Sequence, residues 1–278
     1  MAGVPTRGPQ LVREEKLLER GLAASPSLPN LLKPQLYREA LARMGEDRPK
    51  RSKTALVIPD YAVRMAILDF EEFPDSEEER GALLRFRLRK SVPFHIEEAQ
   101  LSYSIQMQKA GRVEVLTVVM ARPILQEYEA IFQDAGFRVG LVMPSAIAAL
   151  PLCETNEGGK QGITLLAKLS GPILSVLLIE QGRIRLIRCL DLAEEEADLP
   201  GEPTRAVMPL LQQTLAFAED QLGQTVSKVL LCGFGAKTPA MREHLQREFS
   251  VPCAPVRSRF RTPVHEDAGM LGMLEQYA

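Results

Sequence analysis

Hydrophobic and polar positions alternate most regularly between residues 55 and 105, which read ALVIPDYAVRMAILDFEEFP, then EEERGALLRFRLRKSVPF, then EEAQLSYSI. The first block predicts a hairpin: a strand, a turn at Pro59-Asp60 and a second strand ending at Pro74. The second predicts a short helix with Leu83, Leu84, Leu88 and Val92 facing one way, while Arg85, Arg87, Arg89 and Lys90 fill much of the remaining surface. The third is a strand entered through Pro93 and Phe94. No catalytic residue type stands at these turns, which points to a scaffold.

Upstream, residues 1–9 predict no element. Residues 10–24 read as a charged strand or an irregular helix. Leu32, Leu36, Ala40, Leu41 and Met44 set a helix over residues 31–44. Downstream, Arg112–Ala121 predicts a buried strand. Pro123 opens a helix striped by Ile124, Leu125, Tyr128, Ile131 and Phe132, and Gly136 closes it. A strand over residues 137–143 and a further helix from Pro144 follow. Residues 74–137 therefore read helix, strand, strand, helix, a small sheet inserted between strands around Leu68 and Val139 that suit one larger sheet.

A Gly-rich polar stretch, residues 154–160, is the expected boundary between lobes. After it come three strands (163–169, 173–180, 183–190) with turns at Ser170-Gly171-Pro172 and Gln181-Gly182, too short for anything but antiparallel hairpins. An acidic loop holding Glu194-Glu195-Glu196 reads as a solvated edge. A helix over 204–222, a strand at 228–232, a tight turn at Gly233-Phe234-Gly235-Ala236, a helix over 239–249, a short strand at 251–254 and a last helix over 266–277 complete the chain. That order is the order of an RNase H-like lobe, and two such lobes hinged together make an actin-like body. The expected fold class is α/β with α+β elements: residues 1–73 with 138–157 as a first lobe with an incomplete N-terminal part, 74–137 as an inserted small α+β domain, and 158–278 as a second lobe.

A chain of 278 residues suits two such cores. With 34 basic and 36 acidic residues the formal charge is −2, which argues against nucleic-acid binding driven by overall charge. No apolar run approaches the ~20 residues that cross a bilayer, and no secretion signal opens the chain. Four dispersed cysteines and three histidines offer no zinc-finger spacing; Cys153, Cys189, Cys232 and Cys253 read as small thiols in a reducing compartment. His95, His244 and His265 lie far apart in sequence, and Ser145 reads as a helix cap.

Four segments in order, ALVIPDYAVRMAILDFEEFP, LLRFRLRKSVPFHIEEAQLSYSI, ARPILQEYEAIFQDAGFRVGLVMPSAIAAL and KVLLCGFGAKTPAMREHLQREFSVPCAPV, resemble the PilM family of actin-like type IV pilus assembly proteins, relatives of the division protein FtsA. The resemblance runs from about Leu31 to the end. It implies a cytoplasmic protein peripheral to the inner membrane. It also implies a partner, the cytoplasmic tail of a PilN-like membrane protein, with the membrane reached only through that partner and self-association left open.

Actin-like proteins hold ATP and magnesium with two backbone hairpins and acidic residues, and a glycine turn lets adenine approach. Residues 1–24 carry no strand with Asp and Gly, so the first hairpin lies upstream of Met1 or has been lost. In the second hairpin the family's Asp-x-Gly falls near Leu166–Lys168, with Lys168 in the glycine position. Pro172 removes a donor from the turn at Gly171. Lys168 is read either as a residual phosphate contact or as an exposed strand-end lysine. Gly233 and Gly235 preserve the third element, with Phe234 placed to fill part of an adenine cleft. Gly233, Gly235, Lys168 and Gly171 thus outline a vestigial cleft. ATP binding stays open, hydrolysis is not expected, and neither catalytic residue nor metal ligand is assigned.

Partner contact is expected instead in a groove beside the inserted domain, at Leu84, Arg85, Leu88, Arg89 and Phe94, with the helix's own core face as the alternative for the leucines. The rival readings are an active actin-fold ATPase or small-molecule kinase, with a catalytic Asp in the cleft, and the cytoplasmic module of a type II secretion platform protein.

Overall fold

A computed structural model describes residues 2–3, 11–12, 21–45, 53–155, 162–192, 207–263 and 267–277. The expectations for most of residues 1–20, for the acidic loop with Glu194–Glu196 and for most of the 154–160 stretch lie outside the described residues. Within residues 1–20, β1 (Ala2–Gly3) pairs antiparallel with β2 (Leu11–Val12).

In the first lobe, α1 (Pro34–Gly45) buries Ala40 and Leu41. The strand β3 (Lys53–Ile58) ends in a single 3₁₀ turn, Asp60–Ala62, from which β4 (Arg64–Phe70) departs. These two strands are not the hairpin that the sequence pattern predicts. The 3₁₀ turn redirects the chain, and β4 enters a different sheet. The helix α2 (Glu77–Leu88) starts where Ser76 accepts a hydrogen bond from the Glu79 amide at 3.1 Å. Three glutamates in its first turn and two arginines in its last suit the helix dipole. It lies on a three-stranded antiparallel sheet ordered β4-β6-β5, where β5 is Gln100–Lys109 and β6 is Arg112–Met120. Leu84 packs there with Phe70, Val113 and Val115, and Leu88 with Ile96, Ala99 and Val119.

The helix α3 (Arg122–Asp134) carries Pro123 in its first turn and buries Ile124, Tyr128 and Ile131. Those residues pack with Leu41, Leu56 and Ile58, so α3 belongs with the first-lobe core and not with the inserted sheet. β7 (Arg138–Pro144) then pairs parallel with β3. The inserted sheet accordingly contains β4, upstream of the expected boundary at residue 74, and the larger sheet that receives β7 contains β3 in place of β4. Two short helices, α4 (Ser145–Ala148) and α5 (Leu150–Thr155), lead out of the lobe.

The second lobe is built on a five-stranded sheet ordered β10-β9-β8-β11-β12. β8 (Ile163–Ser170) and β9 (Ile173–Glu180) are buried at every position but the last. β10 (Arg183–Asp191) completes the antiparallel meander. Beyond it lie α6 (Val207–Leu222), β11 (Val226–Cys232), α7 (Thr238–Phe249), β12 (Cys253–Pro255) and α8 (Ala268–Tyr277). β11 runs parallel to both β8 and β12. Pleating sends alternate side chains to opposite faces. Leu165, Ala167 and Val176 meet Leu211 of α6 and Met241 of α7, whereas Leu166, Leu177 and Leu230 meet Leu152 of α5 and Leu271 of α8. Burial on both faces explains why these strands read as unbroken apolar runs.

The helix α8 crosses α4 and α5 at glycine contact. A Cβ on Gly272 would lie 2.0 Å from the Ala148 carbonyl oxygen, and one on Gly269 would lie 2.8 Å from Ser145 Oγ. Gly272→Ala should therefore lower unfolding stability by about 2–3 kcal/mol, because the obstacle is backbone and must move with its helix. Gly140→Ala, which meets nothing within 4 Å, should change it by less than about 1 kcal/mol. Paired denaturant titrations check the contrast; equal effects would mean that the helices separate freely.

Candidate functional site

Lys168 is the one charged residue in the apolar run of β8, and β8–β9 register sets it opposite Ser175. Facing residues of a ladder project to the same side. Both side chains reach across the lobe junction to Asp60 at the start of the 3₁₀ turn. Lys168 Nζ lies 2.9 Å from Asp60 Oδ2 and donates also to Ser170 Oγ at 2.8 Å. Ser175 Oγ donates to Asp60 Oδ2 at 2.8 Å. From the first lobe, the Ala146 amide at the start of α4 donates to Asp60 Oδ1 at 2.6 Å. The side chains of Asp60 and Lys168 are each 1% exposed.

This pair corrects the expectation that Lys168 is exposed. It is not an exposed strand-end lysine, and its ammonium is already paired with Asp60. Asp60 was legible only as a turn residue. The signal that could have found it is Lys168 itself: an ammonium inside a buried strand requires a carboxylate partner, because an unpaired charge is too costly there.

The other cleft residues are accounted for by backbone geometry. Gly171 has φ +56°, Gly233 +81° and Gly235 +52°, conformations that favour glycine at each turn. Phe234 is buried in the second-lobe core with Met241 and Leu245, so it does not fill an adenine cleft. Asp60 already accepts three hydrogen bonds, Pro172 has no amide to offer, and no group of three or more His, Cys, Asp or Glu side chains converges among the described residues.

Cys189 of β10 stands opposite Ser175, its Sγ 3.8 Å from Ser175 Oγ. Burial first, and then the Asp60 charge, push its thiol up to about 12. Burial also raises Cys232 and Cys253 to about 11 each.

A second polar contact joins the inserted sheet to the edge of the second lobe. Arg185 of β10 grips the buried Glu114 of β6 with two hydrogen bonds, 2.9 and 3.0 Å, and also pairs with Glu180. Burial alone would lower the Arg185 pKa, but hydrogen bonds and charge from Glu114, with help from Glu180, outweigh it and raise it. Gln106 Oε1 of β5 accepts the Ile184 amide at 2.8 Å.

Of the expected partner contacts, Leu84 and Leu88 are 0% and 3% exposed and form the core face of α2, so they cannot line a surface groove. Arg85 is half-buried, with Nη1 3.4 Å from the Gly81 carbonyl oxygen. Arg89 is exposed, and Phe94 is half-buried against Leu88 and Ile96.

The chain superposes on a chain of the PilM–PilN type IV pilus biogenesis complex with a TM-score of 0.74 at 16% identity, over 99% of this chain and 94% of that one. Lower similarity links it to a Bacteroides thetaiotaomicron protein with an actin-like ATPase fold (TM-score 0.49, 11% identity, 85% and 80% of the two chains). It also links it to the cytoplasmic domain of EpsL, an inner-membrane component of the Vibrio cholerae type II secretion system (TM-score 0.45, 13% identity, 73% and 68%). No protein-family model matches the chain, and no curated protein sequence does. The fold is thus the two-lobed actin-like fold, in the form found in the PilM–PilN complex.

Breaking the buried pair from one side should be far more damaging than removing it whole. Lys168→Met leaves an unpaired carboxylate and should cost about 3–5 kcal/mol, whereas Asp60→Asn combined with Lys168→Met should cost clearly less than the sum of the single changes. Urea unfolding of the four proteins supplies the cycle, and strict additivity would show that the two charges do not interact.

The thiols set an alkaline limit. Folded Cys189, Cys232 and Cys253 hold protons more tightly than their unfolded counterparts, so above pH ~9 the unfolded chain binds fewer protons and stability falls. Thermal melts should decline from pH ~9 towards pH ~11, with the decline reduced in Cys189→Ala. A flat profile across that range would contradict the shifts.

Proposed function

We propose that this chain is a PilM-like scaffold of a type IV pilus assembly platform. It binds the cytoplasmic tail of a PilN-like membrane protein, sits on the cytoplasmic side of the inner membrane through that partner, and has a nucleotide cleft too degenerate for hydrolysis. What carries the reading is the likeness to the PilM–PilN complex along 99% of the chain. The Asp60–Lys168 pair at the lobe junction supports the second half. In an actin-like ATPase the junction must present carboxylates to magnesium and amides to phosphate. Here the carboxylate that faces the second hairpin is neutralised by a lysine from that hairpin. No helix among the described residues is long and apolar enough to cross a membrane.

The tail would lie along the inserted sheet, with its backbone paired to a strand edge and its apolar side chains in neighbouring pockets. Arg89 and Phe94 are the accessible members of the expected contact set, with Arg85 beside them. Calorimetric titration of the whole chain with a synthetic PilN-like tail should give a saturable one-to-one isotherm. Arg89→Glu and Phe94→Ser should each weaken it by roughly tenfold, about 1.4 kcal/mol. ATP with magnesium should give no phosphate release above buffer. Absence of tail binding would remove the scaffold role, and turnover of ATP would replace it with an active ATPase.

A further inference from the structure

We propose that the C-terminal half of α2 is a contact for an anionic membrane surface, in addition to any protein partner. Phe86 is 74% exposed, more than any other large apolar side chain among the described residues; the next are Leu28 at 64% and Leu32 at 55%. It stands on the ridge of α2 opposite the core stripe of Leu84 and Leu88. Helical spacing places Ala82 one turn before it and Arg89 and Lys90 one turn after it. Arg89 continues the helical backbone at the C-cap, and both cations are exposed. Arg87 lies beside them, its guanidinium 5.2 Å from the Phe70 ring and in a surface hollow shared with Glu71 and Glu72.

Along the stretch of chain that carries this ring the charge is one-sided. From Gly81 to Ile96 the chain carries three arginines (Arg85, Arg87 and Arg89), Lys90 and no acid. The molecule as a whole is at −2. A single aromatic ring raised on a convex ridge and flanked by flexible cations offers no walls to hold a peptide. It suits a deformable anionic surface, into which the ring can insert while the cations stay at headgroup level. The inference does not depend on the tail-binding reading, because a vesicle contains no protein.

The chain has no tryptophan, so Phe86→Trp places a sole reporter at the point of contact. With vesicles of phosphatidylcholine and phosphatidylglycerol its emission should shift to the blue, and the shift should fade with added salt. Vesicles of phosphatidylcholine alone should leave it unchanged. In co-sedimentation of the whole chain, Phe86→Ser and Lys90→Glu should each lower partition onto the anionic vesicles by roughly fivefold. Both variants leave Arg89 and Phe94 intact, so tail affinity should be unaltered and the two proposals fail separately. No partition onto anionic vesicles, or partition that both variants leave unchanged, would overturn the inference. So would a blue shift that grows with protein concentration in the absence of lipid, which would assign the ridge to a second copy of the chain.

Discussion

A carboxylate buried between two lobes must be neutralised where it stands, and the lobe junction is arranged around that requirement. Asp60 receives the Ala146 amide from its own lobe, and Lys168 and Ser175 from the other. Desolvating both charges opposes folding, and their attraction with the added hydrogen bonds offsets that cost only while the geometry is kept. Such a pair contributes little net stability but penalises separation strongly, because opening the lobes leaves each charge without its partner until water enters. The 3₁₀ turn, the start of α4 and the β8–β9 hairpin are thereby held to one arrangement.

Two further contacts act on the same junction by different physics. The fork of Arg185 on Glu114 fixes the inserted sheet against the β10 edge with directional, charge-assisted bonds. Gly269 and Gly272 let α8 press onto α4 and α5, where shape alone sets the distance. An ion pair, a bidentate hydrogen-bonded pair and a close helix crossing hold the second lobe at three places, against the 3₁₀ turn, the inserted sheet and the α4–α5 segment. At the ion pair the junction supplies its own filling, with side chains of both lobes meeting there. The same economy of charge applies outside. The cations engaged at the junction are sequestered, whereas those at the end of α2 face outward around an exposed ring.

Much of the second lobe was legible in the order of residues. β8, β9 and β10 fall within a residue of the predicted strands, since an apolar run bounded by Ser-Gly-Pro and Gln-Gly turns has few other solutions. The first lobe was legible as elements but not as pairings. β3 and β4 were both foreseen, yet adjacency in sequence suggested a hairpin where the chain changes sheets. Strand pairing is a non-local choice, and an apolar alternation does not say which neighbour will cover it. The stripe on α3 likewise announced a buried face without naming the core that receives it.

By itself, the amino-acid order determined that the chain is α/β, that its second half is a meander followed by strand–turn–helix, that glycines stand at turns needing positive φ, and that a basic helix precedes a strand. Only the tertiary structure decided that Lys168 meets Asp60. The two residues are 108 positions apart in the chain, and nothing local to either specifies the other. Periodicity records which side chains must leave water; it does not record where two distant charges will find each other, because that depends on how the lobes close. The cleft's chemistry was therefore decided by the packing of whole sheets and helices.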